Sequence, residues 1–167
     1  MDLALREPVY YFLFTVLNSG KSRARLCEAF LETLWQYDAS DRPVMIDSFR
    51  PMHLPLEENI NPNREVYCAL GLISSAKYQR HVESSKFVDV PGAASKGLRF
   101  LLAITQYPNA QPNCLVKGKY AVRVSVYSEN AKRHDAYFQI NWTGNWQDKE
   151  EDMFREIVIK EIPRIAN

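Results

Sequence analysis

The chain has 167 residues, of which 46% are hydrophobic and 25% charged, and a formal net charge of +1. One domain of this size buries roughly two-thirds of its unfolded surface, so no disulfide or metal staple is required. The near-neutral balance supplies no global field toward nucleic acid or an anionic membrane. The clusters Lys21/Arg23/Arg25 and Lys132/Arg133/His134 read as solvated loop charges.

The first element is an apolar run, Val9 to Leu17, that stops at Asn18-Ser19-Gly20. Asn and Gly tolerate positive φ, so the junction reads as a hairpin in which one strand turns directly into the next. Phe12, Phe14 and Val16 share one face of the run; Tyr11, Leu13, Thr15 and Leu17 share the other. An alternating stretch follows from Ala24 to Leu34, with Cys27, Ala29, Leu31 and Thr33 together and Leu26, Glu28, Phe30 and Glu32 opposite.

Asp38 to Pro43 is a turn, Pro51 to Pro62 a proline-punctuated loop, and Glu65 to Ile73 a strand. Residues 74–86 and 106–118 read as irregular loops, and the polar stretch Ser74 to Ser85 as a mobile insertion. Between them, Phe87–Val90 and Leu98–Thr105 are expected strands around Pro91-Gly92. The clearest strand is Tyr120 to Tyr127, with Tyr120, Val122, Val124 and Val126 inward and Arg123, Ser125 and Tyr127 outward. Ser128 to Ala131 turns the chain into a strand whose inward face is Ala136, Phe138, Ile140 and Trp142. The acidic stretch Asp148 to Asp152 starts a short helical turn, and a last strand runs from about Phe154 to Ile162.

Short strands separated by turn signals, with no repeat and no long helix, imply an all-β fold: a two-layer, immunoglobulin-like antiparallel β-sandwich. A single domain spans residues 1–167, with its core in 8–163. The three cysteines, Cys27, Cys68 and Cys114, are an odd number with no C-x-x-C spacing, so buried free thiols in a reducing, cytoplasmic compartment are expected. Met1 to Glu7 lacks the pattern of a signal peptide, and the Val9–Leu17 run is far shorter than the ~20 residues of a bilayer-spanning helix. The expectation is a soluble chain with no membrane insertion, either by itself or as the soluble part of a membrane-anchored parent.

The stretch Tyr10 to Ile73 resembles the Ig-like β-sandwich domains of the CARDB type, found in uncharacterised bacterial and archaeal proteins. The resemblance rests on Val16-Leu17-Asn18-Ser19-Gly20 followed by Ala24, and on Ile60-Asn61-Pro62-Asn63-Arg64-Glu65 before a central strand. Gly118-Lys119-Tyr120-Ala121-Val122-Arg123-Val124, the turn Glu129-Asn130-Ala131 and the ending Gly144-Asn145-Trp146 extend it. It implies a binding or spacer module and carries no catalytic residues.

Catalytic and metal motifs fail residue by residue. Gly20-Lys21-Ser22 lacks the upstream glycine and following helix of a P-loop, since position 15 is Thr. His53, His81 and His134 have no metal-ligand spacing, and no cysteine sits in a nucleophile context. No catalytic residue, cofactor or metal is therefore expected. What remains is a candidate interaction surface: Tyr11, Leu13, Leu17, Tyr127, Trp142 and Trp146. The first three make both faces of the first strand apolar. Either another part of the chain covers that face (Ser74 to Ser85, or the segment around Leu101), or a protein partner or second copy does. Trp142 and Trp146, with Asn145 and Gln147 beside them, suggest a carbohydrate- or small-ligand-binding module as the alternative. Against it, Trp142 continues the inward alternation and Trp146 would plug one end of the core. The expected function is a non-catalytic module for protein–protein contacts.

Overall fold

The computed structural model describes residues 8–76, 79, 87–92, 97–105 and 111–166. Ten strands and one helix form there: β1 (Val9–Leu17), β2 (Glu28–Tyr37), β3 (Pro43–Met45), β4 (Met52–Leu54), β5 (Glu65–Ser74), β6 (Phe100–Leu102), β7 (Cys114–Leu115), β8 (Gly118–Ser128), β9 (Ala131–Trp142), α1 (Glu150–Glu156) and β10 (Ile157–Ile162). They make two antiparallel sheets. The smaller runs β1-β5-β6-β7; the larger runs β10-β9-β8-β2-β3, with β4 also on β2. The all-β sandwich expected from the alternating patterns is the observed architecture.

Period-2 alternation supplies the core. Phe100, Leu70 and Ile73 from the smaller sheet meet Leu31, Leu34, Val122, Val124 and Ile140 from the larger, all essentially buried. Leaving a Leu, Val or Ile side chain in water instead would cost roughly 1.5–3 kcal/mol each. Tyr120, Val122 and Val124 point inward as expected, and β8 and β9 close a hairpin at Ser128/Ala131. Ser125 points outward yet is buried, its hydroxyl donating to Asp135 at 2.6 Å.

Four expectations are corrected. First, β1 and β2 are not a hairpin: β1 pairs with β5, and β2 lies in the other sheet. The junction is a crossover, and Asn18 anchors it. Its Oδ1 accepts the Gly20 amide (3.0 Å), and its Nδ2 donates to the carbonyls of Ser22 and Ile60 (both 2.8 Å). Gly20 is absent from the positive-φ residues of the described chain; Leu26, at φ 50°, is the left-handed residue of the crossover. Second, the alternation of β2 breaks at a bulge between Leu31 and Thr33, so Leu34 takes the core position expected of Thr33. One inserted residue reverses the facing of every residue after it.

Third, residues 106–118 are not all loop, because Cys114–Leu115 pairs with β6. Phe87–Val90, conversely, contributes a lone parallel bridge, Asp89 to Cys114, rather than a strand. Fourth, the last strand starts at Ile157, because the acidic turn extends into α1 and takes Phe154 with it. Most of the expected Ser74–Ser85 insertion lies outside the described residues.

Candidate functional site: the β1/β10 margin

The expected surface residues do not form one surface. Tyr11, Leu13 and Leu17 lie side by side on the outer face of β1, 63%, 54% and 58% exposed, and Tyr67 of the neighbouring β5 joins them at 69%. Of the two internal covers considered from sequence, Ser74 to Ser85 lies largely outside the described residues, and the segment around Leu101 does not serve. Leu101 sits in β6, within the same sheet, and cannot lie over β1. Tyr127 belongs to the outer face of the other sheet, where its hydroxyl donates to Glu32 (2.7 Å) and its ring meets Phe30 edge-on.

Trp142, included among the surface candidates, lies instead in the core, on the inward face that the alternation of Ala136, Phe138 and Ile140 gave it. It is 2% exposed and its indole N–H donates to the Leu98 carbonyl at 3.0 Å. Trp146 is half-buried against Tyr10, ring centroids 5.1 Å apart, with its N–H on Asp148 (2.8 Å). The neighbouring amides are occupied as well. Gln147 donates to Glu156 at 2.8 Å and Asn145 to the same carboxylate at 3.2 Å, and Thr143 also donates to it. These hydrogen bonds, led by that of Thr143, hold the Glu156 carboxyl below its ordinary range.

β1 is a free sheet edge, with β5 on one side and no described strand on the other. The Asn18 amide donates to the Arg64 carbonyl (3.1 Å). Antiparallel alternation therefore turns the backbone groups of Val16 and Phe14 toward β5, and those of Leu13, Thr15 and Leu17 away from it. Inward, Phe14 meets Phe138 of β9 at 5.6 Å, so β1 stacks over β9. β10 is the next strand beyond β9, and among the described residues the smaller sheet has no strand opposite it. Pairing of Ile159 with Ile140 and of Glu161 with Phe138 turns both β10 side chains toward that vacancy.

Two adjoining clefts of about 480 and 570 Å³ fill the margin and share Phe14, Thr15, Phe138 and Glu161. Phe154 of α1 stands at one end; Lys132 and His134 line the other. Sequence reasoning found the β1 half of this site and missed the β10 half. The available signal was the alternation Ile157, Ile159, Glu161, which puts a charge on the same strand face as two isoleucines.

Reactive chemistry is not gathered here. Burial pushes the Cys68 thiol up to about 12. Burial, and then the adjacent Asp89 carboxylate, raises that of Cys114. A thiol held neutral is a poor nucleophile. Among the described residues no group of three His, Cys, Asp or Glu side chains could hold a metal ion, and no helix is long and apolar enough to cross a membrane. Comparisons with protein-family models, with curated proteins and with solved structures find no match to the chain.

Proposed function

We propose that the protein is a non-catalytic interaction module, an Ig-like sandwich of the CARDB type, that joins other proteins through its β1 margin. The observation that carries this reading is the character of β1. Nine residues, VYYFLFTVL, form a sheet edge without a charge, with apolar side chains on both faces. Exposed edges are normally blunted by charges, proline or brevity, because unpaired N–H and C=O groups recruit other strands. An edge left long and apolar is a binding site or a liability, and β1 has the pattern of a β-augmentation site.

The carbohydrate alternative has less support. It needs a free aromatic platform with free amides, whereas Trp142 is buried and Trp146, Asn145 and Gln147 are committed to internal contacts. The test is site-specific photo-crosslinking in the source cells. A benzophenone side chain at position 13 should give a discrete adduct, identified by mass spectrometry, that is absent when the probe replaces Val44 on β3. Equal yields at the two positions, or no adduct at 13, would defeat the reading.

A further inference from the structure

The β1 margin selects its occupant, an inference that rests on the interaction reading above. β10 projects beyond β1 as a shelf, so the space beside β1 is one strand wide and floored by Ile159 and Glu161. A second sandwich pairing its own β1 here would bring its β9 into the place β10 occupies. It would also lay Phe12, Phe14 or Val16 of that copy against Glu161. This carboxylate lines both clefts, is exposed to water, and has no hydrogen bond or ion pair among the described residues. Burying it against an apolar strand leaves a charge without a partner, which costs several kcal/mol. An inward-pointing charge at a sheet edge acts as a filter against such pairing.

A strand that brings a cation passes the filter. We propose that the margin binds a single extended segment of a partner protein, hydrogen-bonded along Leu13, Thr15 and Leu17. Its inward side chains are apolar over Phe138 and Ile159, with one Lys or Arg placed over Glu161. The stretch from Leu13 to Leu17 offers a paired length of about five residues, ~17 Å at the rise of an antiparallel strand, and Phe154 lines the same cleft. Main-chain bonds supply affinity; the apolar floor and the single carboxylate supply specificity.

The probes are fluorescein-labelled nonapeptides with valine at alternate positions and threonine between. One valine is replaced in turn by lysine, and in a matched set by glutamate. The best lysine peptide should bind saturably by anisotropy and shift the amide resonances of Leu13, Thr15 and Leu17. Glu161→Lys should weaken it about tenfold and make the matched glutamate peptide the better ligand. Shifts on β1 with affinity indifferent to Glu161→Lys would remove the shelf from the site and sink this inference, leaving the interaction reading intact. A concentration-dependent dimer that Leu13→Lys converts to monomer would name a second copy as the occupant, with the same consequence. A monomer that binds no peptide, and gives no adduct at position 13, would overturn both.

Discussion

The two lateral margins of the sandwich are built to opposite specifications. On the far side the edge strands are short: β7 has two residues and β3 has three, opening with Pro43, which has no N–H to offer. A parallel bridge from Asp89 covers Cys114, and Arg99 clamps Asp89 through bonds of 2.7 and 3.0 Å. At β3, Lys119 reaches Asp41 at 2.6 Å and lies over the Tyr37 ring. On the near side β1 is long and uncharged, and no described strand covers its edge. One margin is sealed with proline, brevity and ion pairs, and β1 has none of these among the described residues, which is the asymmetry the proposed interaction module requires.

The core, and after it the sealed side, should carry the stability. Trp142→Ala should have the largest effect, about 3–5 kcal/mol, by emptying a core position and orphaning the Leu98 carbonyl. A denaturant melt measures it. A loss under ~1 kcal/mol would mean that Trp142 does not tie β9 to the chain entering β6.

Asp89 comes next. Hydrogen bonds from Arg99, opposed by burial and aided by the Cys114 thiol, hold its carboxyl below the ordinary value. A folded-state value lower than the unfolded one, about 3.9, gives stability that is present at neutral pH and lost as pH falls through the folded value. Asp89→Asn should therefore cost about 1–3 kcal/mol at pH 7. The gap between the melting curves of variant and wild type should narrow as the pH falls below about 4; a gap constant from pH 7 to 3 would take the charge out of the explanation.

How much of this was legible in the sequence follows from what each feature depends on. β8 and β9 were readable because their alternation runs without a shift until Val126, and the one irregularity, between Val126 and Ser128, falls at the Glu129-Asn130 turn. β2 was readable only as far as its bulge, because nothing local marks where one extra residue enters. The β1–β2 junction misled because Asn and Gly fit a hairpin as well as a crossover. Which applies is decided by distant partners, Ile60 and Arg64, that no local pattern reveals. The same holds for the site. The apolar character of both β1 faces is a local fact, whereas the shelf exists only because β10 falls beyond β9 in the sheet order.

Two glycines sharpen the contrast at smaller scale. Gly144 sits at φ +85°, and an added Cβ would lie 3.2 Å from the Lys117 Cβ. Gly144→Ala should cost roughly 1–2 kcal/mol through backbone strain. Gly20 has no positive φ, and its added Cβ would meet the Asn18 side-chain oxygen at 3.0 Å and the Ser22 carbonyl oxygen at 4.0 Å. Gly20→Ala should cost about 0.5 kcal/mol. Matched thermal melts decide the order, and a larger loss at Gly20 would restore a strained turn at the crossover.

The smallest effect on stability is expected where the effect on binding is greatest. Leu13 is exposed on the outer face of β1, so Leu13→Lys removes little buried area and introduces a solvated charge. Its unfolding free energy should stay within ~0.5 kcal/mol of wild type. The same lysine gives β1 the kind of charge that blunts other sheet edges, so the crosslinked adduct obtained with the probe at Leu17 should disappear. If the variant instead loses 2 kcal/mol or more, Leu13 is a structural residue covered in solution, and β1 belongs with the sealed side. If it folds normally and the adduct persists, the margin is open but binds nothing through its edge. Stability retained with the adduct lost is the pairing of results that only a binding margin produces.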